Sequence, residues 1–372
     1  YNTRYRTSVL ILLTVVYGFN FIDRQILGIL APFIQKDLGL SNTELGLLIG
    51  LAFAIFYTLV AIPIAWLADR YNRVNILCIA LATWSGFTAL TGFATNFIQI
   101  GVARMGVGVG EAGGSPPSHS IISDMYPKEE RASALGIYSM GIPLGIMAAY
   151  FATASLMGAS SEDVNWRRIF IFLGLTGIAL SIIVKLVVHE PVRGAIEFGD
   201  EVEIKKPAFM ESMKILLKIP AWWAMSFGIA FGSFASYASM AFQTKFLVTL
   251  DPTFNFKTLV IILGIMNGVA YAGGTFFGAR IADYWGKRDI RAYGWLPAIA
   301  ISLCLPIGIS SYWVASVEMN LVLTTVFLIF IGIYLGPSFA IAQTLAPINM
   351  RAMSTALFFF ILNMIALGGG PT

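Results

Sequence analysis

Four ionisable side chains stand inside apolar stretches of the chain: Asp23 and Arg24 in the first, Arg104 and Glu111 in a later one. A charge at membrane depth costs at least ~2.5–3.5 kcal/mol on insertion scales, so each is a candidate for function. Asp23 falls close to the middle of the stretch near 7–35, and Glu111 close to the middle of the one near 97–124. Arg104 precedes Glu111 by two helical turns, about 10 Å of rise, so the two share a helix face. A carboxylate holds a proton more tightly when water is withdrawn and less tightly beside a cation. Asp23, Glu111 and Arg104 are therefore the candidate proton-coupling set, and Arg24 or Arg104 the candidate contact for an anionic group. A structural ion pair, Asp23 with Arg24 or with Arg104, is the alternative. Neighbours on a helix point about 100° apart, which counts against a shared partner for Asp23 and Arg24.

The remaining chemistry-bearing residues are sparse. His119, two turns beyond Glu111, is a candidate inward relay and substrate contact, or else a packed polar residue. Its only companion is His189, and Cys78 and Cys304 lie in separate apolar runs, so no metal cluster, disulfide framework or partnered nucleophile is expected. Gly106, Gly108, Gly110, Gly113 and Gly114 follow no strand, which argues against a phosphate cradle and for a small-xxx-small packing face. No G-x-x-x-x-G-K-S/T loop is present, so neither ATP nor any other cofactor is expected.

The elements that hold these residues follow from composition. Of 372 residues, 57% are hydrophobic and only 12% charged, which excludes an ordinary soluble domain. A spanning helix needs roughly 20 mostly apolar residues, leaving room for about ten to twelve spans. Apolar runs near 7–35, 44–67, 75–93, 97–124, 131–157 and 168–188 give six spans, and runs near 221–247, 258–282, 291–312, 319–345 and from 351 onward give five more. The expected division is a first transmembrane half over 1–188, a linker over 189–220, and a second half over 221–372 that lacks a twelfth span. Within the linker, Phe209, Met213, Leu216 and Leu217 share one helical face, predicting an interfacial helix, with a plain tether as the alternative. Lys and Arg concentrate at the N-terminus, in the linker and in the even-numbered loops, which sets that side in the cytoplasm and explains the net charge of +4 without nucleic acid.

The chain also repeats itself. A shift of about 220 residues lays Pro117-Ser118 on Pro337-Ser338, Pro127 on Pro347 and Arg131-Ala132 on Arg351-Ala352. A slightly shorter shift lays Ala68-Asp69 on Ala282-Asp283 and Arg73 on Lys287. The same comparison sets Arg104 on Thr324 and Glu111 on Ile331, so the buried charges belong to one half alone. Opposite them the second half offers an apolar wall of Met240, Phe242, Tyr271, Phe330 and Tyr334. Parallel duplicated halves joined by a linker are a transporter architecture.

Ala65 to Arg73, A-W-L-A-D-R-Y-N-R, resembles the loop signature of the major facilitator superfamily, with Ala65 and Asn72 where glycines are usual. Ala279 to Lys287 resembles a degraded second copy, and Arg104, Gly108, Gly110 and Ala112 match the fourth-helix pattern of that superfamily. Phe21 to Gln25, Gly108 to Ala112 and Pro127 to Arg131 are similar to the spinster branch. The resemblance implies an all-α major facilitator fold working by alternating access. It also implies an amphipathic lipid as substrate, such as a lysophospholipid or sphingolipid. The expected protein is a proton-coupled secondary transporter, monomeric, in a bacterial inner membrane. Another organic anion or a drug is the nearest rival substrate, and a membrane-embedded lipid-modifying enzyme or a channel a remote one.

The repeat adds a conformational latch. Asp69 is expected beside the N-terminus of the eleventh span near Arg351, where the helix dipole favours a carboxylate, and Asp283 beside the fifth span near Arg131. Under the alternative, Arg70, Arg73, Lys287 and Arg288 only set topology.

Overall fold

The computed structural model describes residues 2–49, 51–156, 165–194, 209–251 and 256–367. The described residues are helical, with no strand among them. The first half runs α1 (Thr3–Leu38), α2 (Asn42–Ile49), α3 (Leu51–Arg70), α4 (Arg73–Thr91), α5 (Phe97–Glu111), α6 (Ser115–Met125), α7 (Lys128–Ser139), α8 (Gly141–Leu156) and α9 (Trp166–Val187). A short α10 (Phe209–Leu217) precedes the second half: α11 (Pro220–Leu250), α12 (Phe256–Met266), α13 (Ala272–Gly286), α14 (Ala292–Trp313), α15 (Val317–Ile333), α16 (Leu335–Leu345) and α17 (Arg351–Leu362). Eight helical stretches among the described residues are long and apolar enough to cross a membrane. The fourth span, α5 with α6, falls short because it is interrupted and carries Arg104, Glu111, His119 and Asp124. Residues 368–372, on which the expectation of a missing twelfth span turned, lie outside the described set.

Local chemistry sets where these helices start and stop. The side chains of Asn2, Asn72, Asn96, Asn165 and Ser316 each accept a backbone N–H from the first turn they precede. Gly39 closes α1 at φ 64°, in the left-handed region that glycine enters without strain. The fourth span breaks at Ala112–Gly114, just before Pro116-Pro117, whose missing N–H groups leave the carbonyls of Ala112 and Gly113 without helical bonds. Both prolines sit in the first turn of α6, where a missing N–H costs no helical bond. A π-turn over Asn267–Tyr271 joins α12 to α13.

Small residues let the spans approach closely. Gly110 abuts the backbone of Trp84 on α4, and Gly108 that of Phe53 on α3. Gly141 and Gly145 meet Gly18 of α1, and Gly274 and Gly278 meet Ile329 and Ile333 of α15. The halves engage through α3 with α17 and, by the repeat, through α13 with α7, where Gly136 abuts Ala279. Both sets of contacts lie at the end of the bundle nearest the linker.

Candidate functional site

The four charges meet. α1 supplies Asp23 and Arg24, and α5 supplies Arg104 and Glu111. Arg24 Nε donates to Glu111 Oε2 at 2.7 Å, with the Glu111 side chain fully buried and that of Arg24 partly exposed. The Arg24 guanidinium lies 4.5 Å from the Tyr57 ring centroid, 5.0 Å from Phe53 and 5.1 Å from Phe21. Those rings shield the pair while favouring its cation. Asp23 turns elsewhere, its Oδ2 accepting from Thr88 Oγ1 of α4 at 3.2 Å. Arg104 is buried within electrostatic reach of both carboxylates, yet its Nε and Nη1 have no hydrogen-bond partner among the described residues. Asp23 Oδ1 and Glu111 Oε1 also lack one.

Asp23 and Arg24 thus face different partners, as their helical offset requires, and the pair that forms is Arg24 with Glu111. Sequence reasoning missed that pairing. The register says that the two side chains diverge but not which one turns toward α5.

The other candidate contacts are spread more widely. His119 is buried with its ring 5.1 Å from Tyr138, 4.8 Å from Phe339 and 5.8 Å from Phe359, so it packs between the two halves. The break at Ala112–Gly114 stands between it and Glu111. Tyr271 is buried in the π-turn, Phe330 is half-buried, and the Tyr334 hydroxyl lies 2.9 Å from Ser233 Oγ of α11. The side chains of Met240 and Phe242 lie outside the described set.

A second polar cluster answers the first. The 220-residue shift lays Asp23 on Gln243 as it lays Arg104 on Thr324. Gln243 Nε2 donates to Asn320 Oδ1 at 2.6 Å and to Thr324 Oγ1 at 3.1 Å, while Tyr312 donates to Gln243 Oε1 at 3.2 Å. Asn320 Nδ2 in turn donates to the Ser311 carbonyl at 2.6 Å. This cluster is neutral, with Gln243, Asn320 and Thr324 buried and Tyr312 half-buried.

At the linker end, Asp69 accepts the backbone N–H groups of Ala352 at 3.1 Å and Met353 at 2.8 Å, in the first turn of α17. These are donors that the helix itself leaves unpaired. Asp283 accepts the N–H of Ser133 at 2.7 Å and the hydroxyl of Tyr293 at 2.9 Å, but Ser133 stands within α7 rather than at its start. Arg351 reaches Asp124 Oδ1 at 2.7 Å. Arg73, fully buried, binds the other oxygen of Asp124 along with Ser120 and Glu190. Arg131 donates to Thr344 Oγ1 at 3.3 Å and to the Ser123 carbonyl at 3.1 Å. Arg70 lies over the Trp66 ring at 4.3 Å.

Asp124 is the residue that sequence reasoning overlooked. It sits at the end of a span, where an acid looks like a boundary, and its repeat mate is the uncharged Thr344. The chain after α9 was missed as well. Arg193 donates to the carbonyls of Ala68 and Tyr71, and the Gly194 N–H reaches Asp124 Oδ1 at 3.3 Å. Burial pulls the Arg193 guanidinium below its ordinary pKa.

With this geometry in view, a family model described as Major Facilitator Superfamily matches residues 13–371. The chain belongs to that superfamily. It is 29% identical over 362 residues to an MFS-type efflux pump of Mycolicibacterium smegmatis, covering 96% of this chain and 81% of that protein. It is 28% identical over 381 residues to protein spinster homolog 1 of Xenopus laevis, covering 96% and 68%. A solved bacterial homolog of the human lysosomal transporter spinster, inward-facing and unoccupied, matches at a TM-score of 0.72 and 32% identity, covering 100% of this chain and 82% of that one. Within the superfamily the chain falls in the spinster branch. It is an integral multi-pass membrane transporter of the major facilitator fold, not an enzyme.

Proposed function

We propose that this major facilitator protein is a proton-coupled secondary transporter of an amphipathic, lipid-like anion such as a lysophospholipid or sphingolipid. The observation that carries the reading is the Arg24–Glu111 pair, beside a buried Arg104 whose Nε and Nη1 have no hydrogen-bond partner among the described residues. An anionic headgroup entering the site competes with Glu111 for Arg24 and offers oxygens to Arg104. Glu111, displaced from its cation in a dry site, takes a proton instead. Asp23 serves as the second proton carrier, and the apolar side of the site accommodates a tail. The lipid class rests on the resemblance of Phe21 to Gln25, Gly108 to Ala112 and Pro127 to Arg131 to the spinster branch, and likeness to an efflux pump keeps another organic anion or drug as the second reading.

In the proposed orientation the N-terminus and the linker are cytoplasmic, in a bacterial inner membrane, and the protein works as a monomer. The contacts of Asp69, Asp283 and Asp124 then close the cytoplasmic side and part as the halves rock. The test is substrate-stimulated proton flux in proteoliposomes, with lysophospholipid competing against sugar phosphates and cationic drugs. Flux driven by lysophospholipid alone supports the reading. Flux driven by the competitors and not by lysophospholipid overturns the substrate class.

A further inference from the structure

The two copies of the loop signature end differently. In the first, Arg73 is buried on Asp124 and Glu190. In the second, the matching Lys287 is exposed, as are Arg288 and Arg291 beyond it. Thr344, standing where the first half has Asp124, offers no acid to bury a cation on.

One further cation lies deeper. Arg280 is exposed on α13, about 9 Å of helical rise before Gly286, among exposed Phe277, Ile281 and Tyr284. That face looks toward lipid. Among the described residues the contact recorded for the Arg280 guanidinium is the Phe276 ring at 4.9 Å. Arg280 and Tyr284, one turn apart, share one side of α13, and Arg288 follows in the turn just beyond Gly286. Arg288 Nη2 donates to the Tyr284 hydroxyl at 3.1 Å, with its guanidinium 5.2 Å from that ring. The acid of the turn, Asp289, accepts the backbone N–H of Arg291 and forms no ion pair with these arginines among the described residues. A guanidinium at the edge of hydrocarbon reaches for the headgroup layer, where a phosphodiester matches its fork of donors.

We propose that Arg280, Tyr284 and Arg288 form a site for the phosphate of an anionic phospholipid of the surrounding bilayer, with Lys287 and Arg291 favouring headgroups of net negative charge. This lipid is a resident of the leaflet at the linker end, distinct from the transported molecule. The site does not rest on the proposed substrate.

Native mass spectrometry of the detergent-purified full chain tests it, with diacyl phosphatidylglycerol and diacyl phosphatidylcholine as probes. The wild type is expected to bind phosphatidylglycerol about tenfold more tightly than phosphatidylcholine, and Arg280→Gln/Arg288→Gln to lose that preference. Lys36→Gln, an exposed cation at the opposite end of α1, retains it. Unchanged melting temperatures establish that the variants fold, and the single variants replace the double one if it does not, each losing part of the preference. Equal binding of both lipids by the wild type, or an undiminished preference in folded variants, overturns the site.

Discussion

Where the first half buries Asp23 on Thr88, with Arg104 and the Arg24–Glu111 pair beside it, the second half buries Gln243 on Tyr312, Asn320 and Thr324. At the linker end Arg351 meets the carboxylate of Asp124, whereas the matching position beside its mate Arg131 is the hydroxyl of Thr344. Both halves need a polar tie between the same pairs of spans. The second shows that neutral groups suffice for it. A scaffold that is stable with an amide has no structural need of an acid and two arginines, and buried charges add a desolvation cost that neutral groups avoid. This contrast supports the proposal that the charges of the first half serve the transport cycle and those at the linker end serve closure.

The contrast breaks most visibly at Asp124. Asp124→Ala removes the carboxylate that two buried arginines share and is expected to lower stability by about 3–5 kcal/mol, whereas Thr344→Val removes a hydroxyl contact worth about 1 kcal/mol. Denaturation of both variants in the same detergent compares them, and equal losses would erase the asymmetry. Gln243→Leu leaves Asn320 and Tyr312 short of a partner and should cost about 1–3 kcal/mol while proton coupling persists. Lost coupling there would mean that the second cluster is more than scaffold. Asp69→Asn weakens the hold on the first turn of α17 by about 1 kcal/mol, shifting the open population at the linker end roughly fivefold. Spin-label distances across that mouth report it, and an unchanged distribution removes Asp69 from the latch. The smallest effect is expected on α10, where Leu216 is buried, Met213 is half-buried and the Trp223 indole donates to the Leu217 carbonyl at 2.8 Å. Met213→Glu should raise protease cleavage of the linker a few-fold, and an unchanged rate points to a plain tether.

Much of this was legible in the sequence because duplication does the work of a second observation. Asp69 and Asp283 stand out as an acid recurring in a basic loop, and the repeat names the helices opposite them. The one-sided charges were visible for the same reason, since Thr324 and Ile331 occupy the matching places. What stayed hidden is pairing. Helical periodicity gives a face, but the rotation of α1 against α5 decides that Arg24 rather than Asp23 reaches Glu111. Asp124 was hidden because its mate is a threonine. The linker start was hidden because Glu190 and Arg193 look like solvated polar residues until tertiary packing sets them against Arg73 and Asp69.

The central claim is that Glu111 carries the coupling proton and that its pair with Arg24 belongs to the cycle. Substrate-driven proton flux in proteoliposomes, measured for wild type, Glu111→Gln and Glu111→Gln/Arg24→Gln beside their melting temperatures, tests it most directly. The account predicts that Glu111→Gln folds and binds substrate but moves no protons, and that the double variant does not recover flux. A structural ion pair predicts the opposite: lower melting in the single variant, and both stability and coupled transport restored in the double. Restored proton flux would contradict the account.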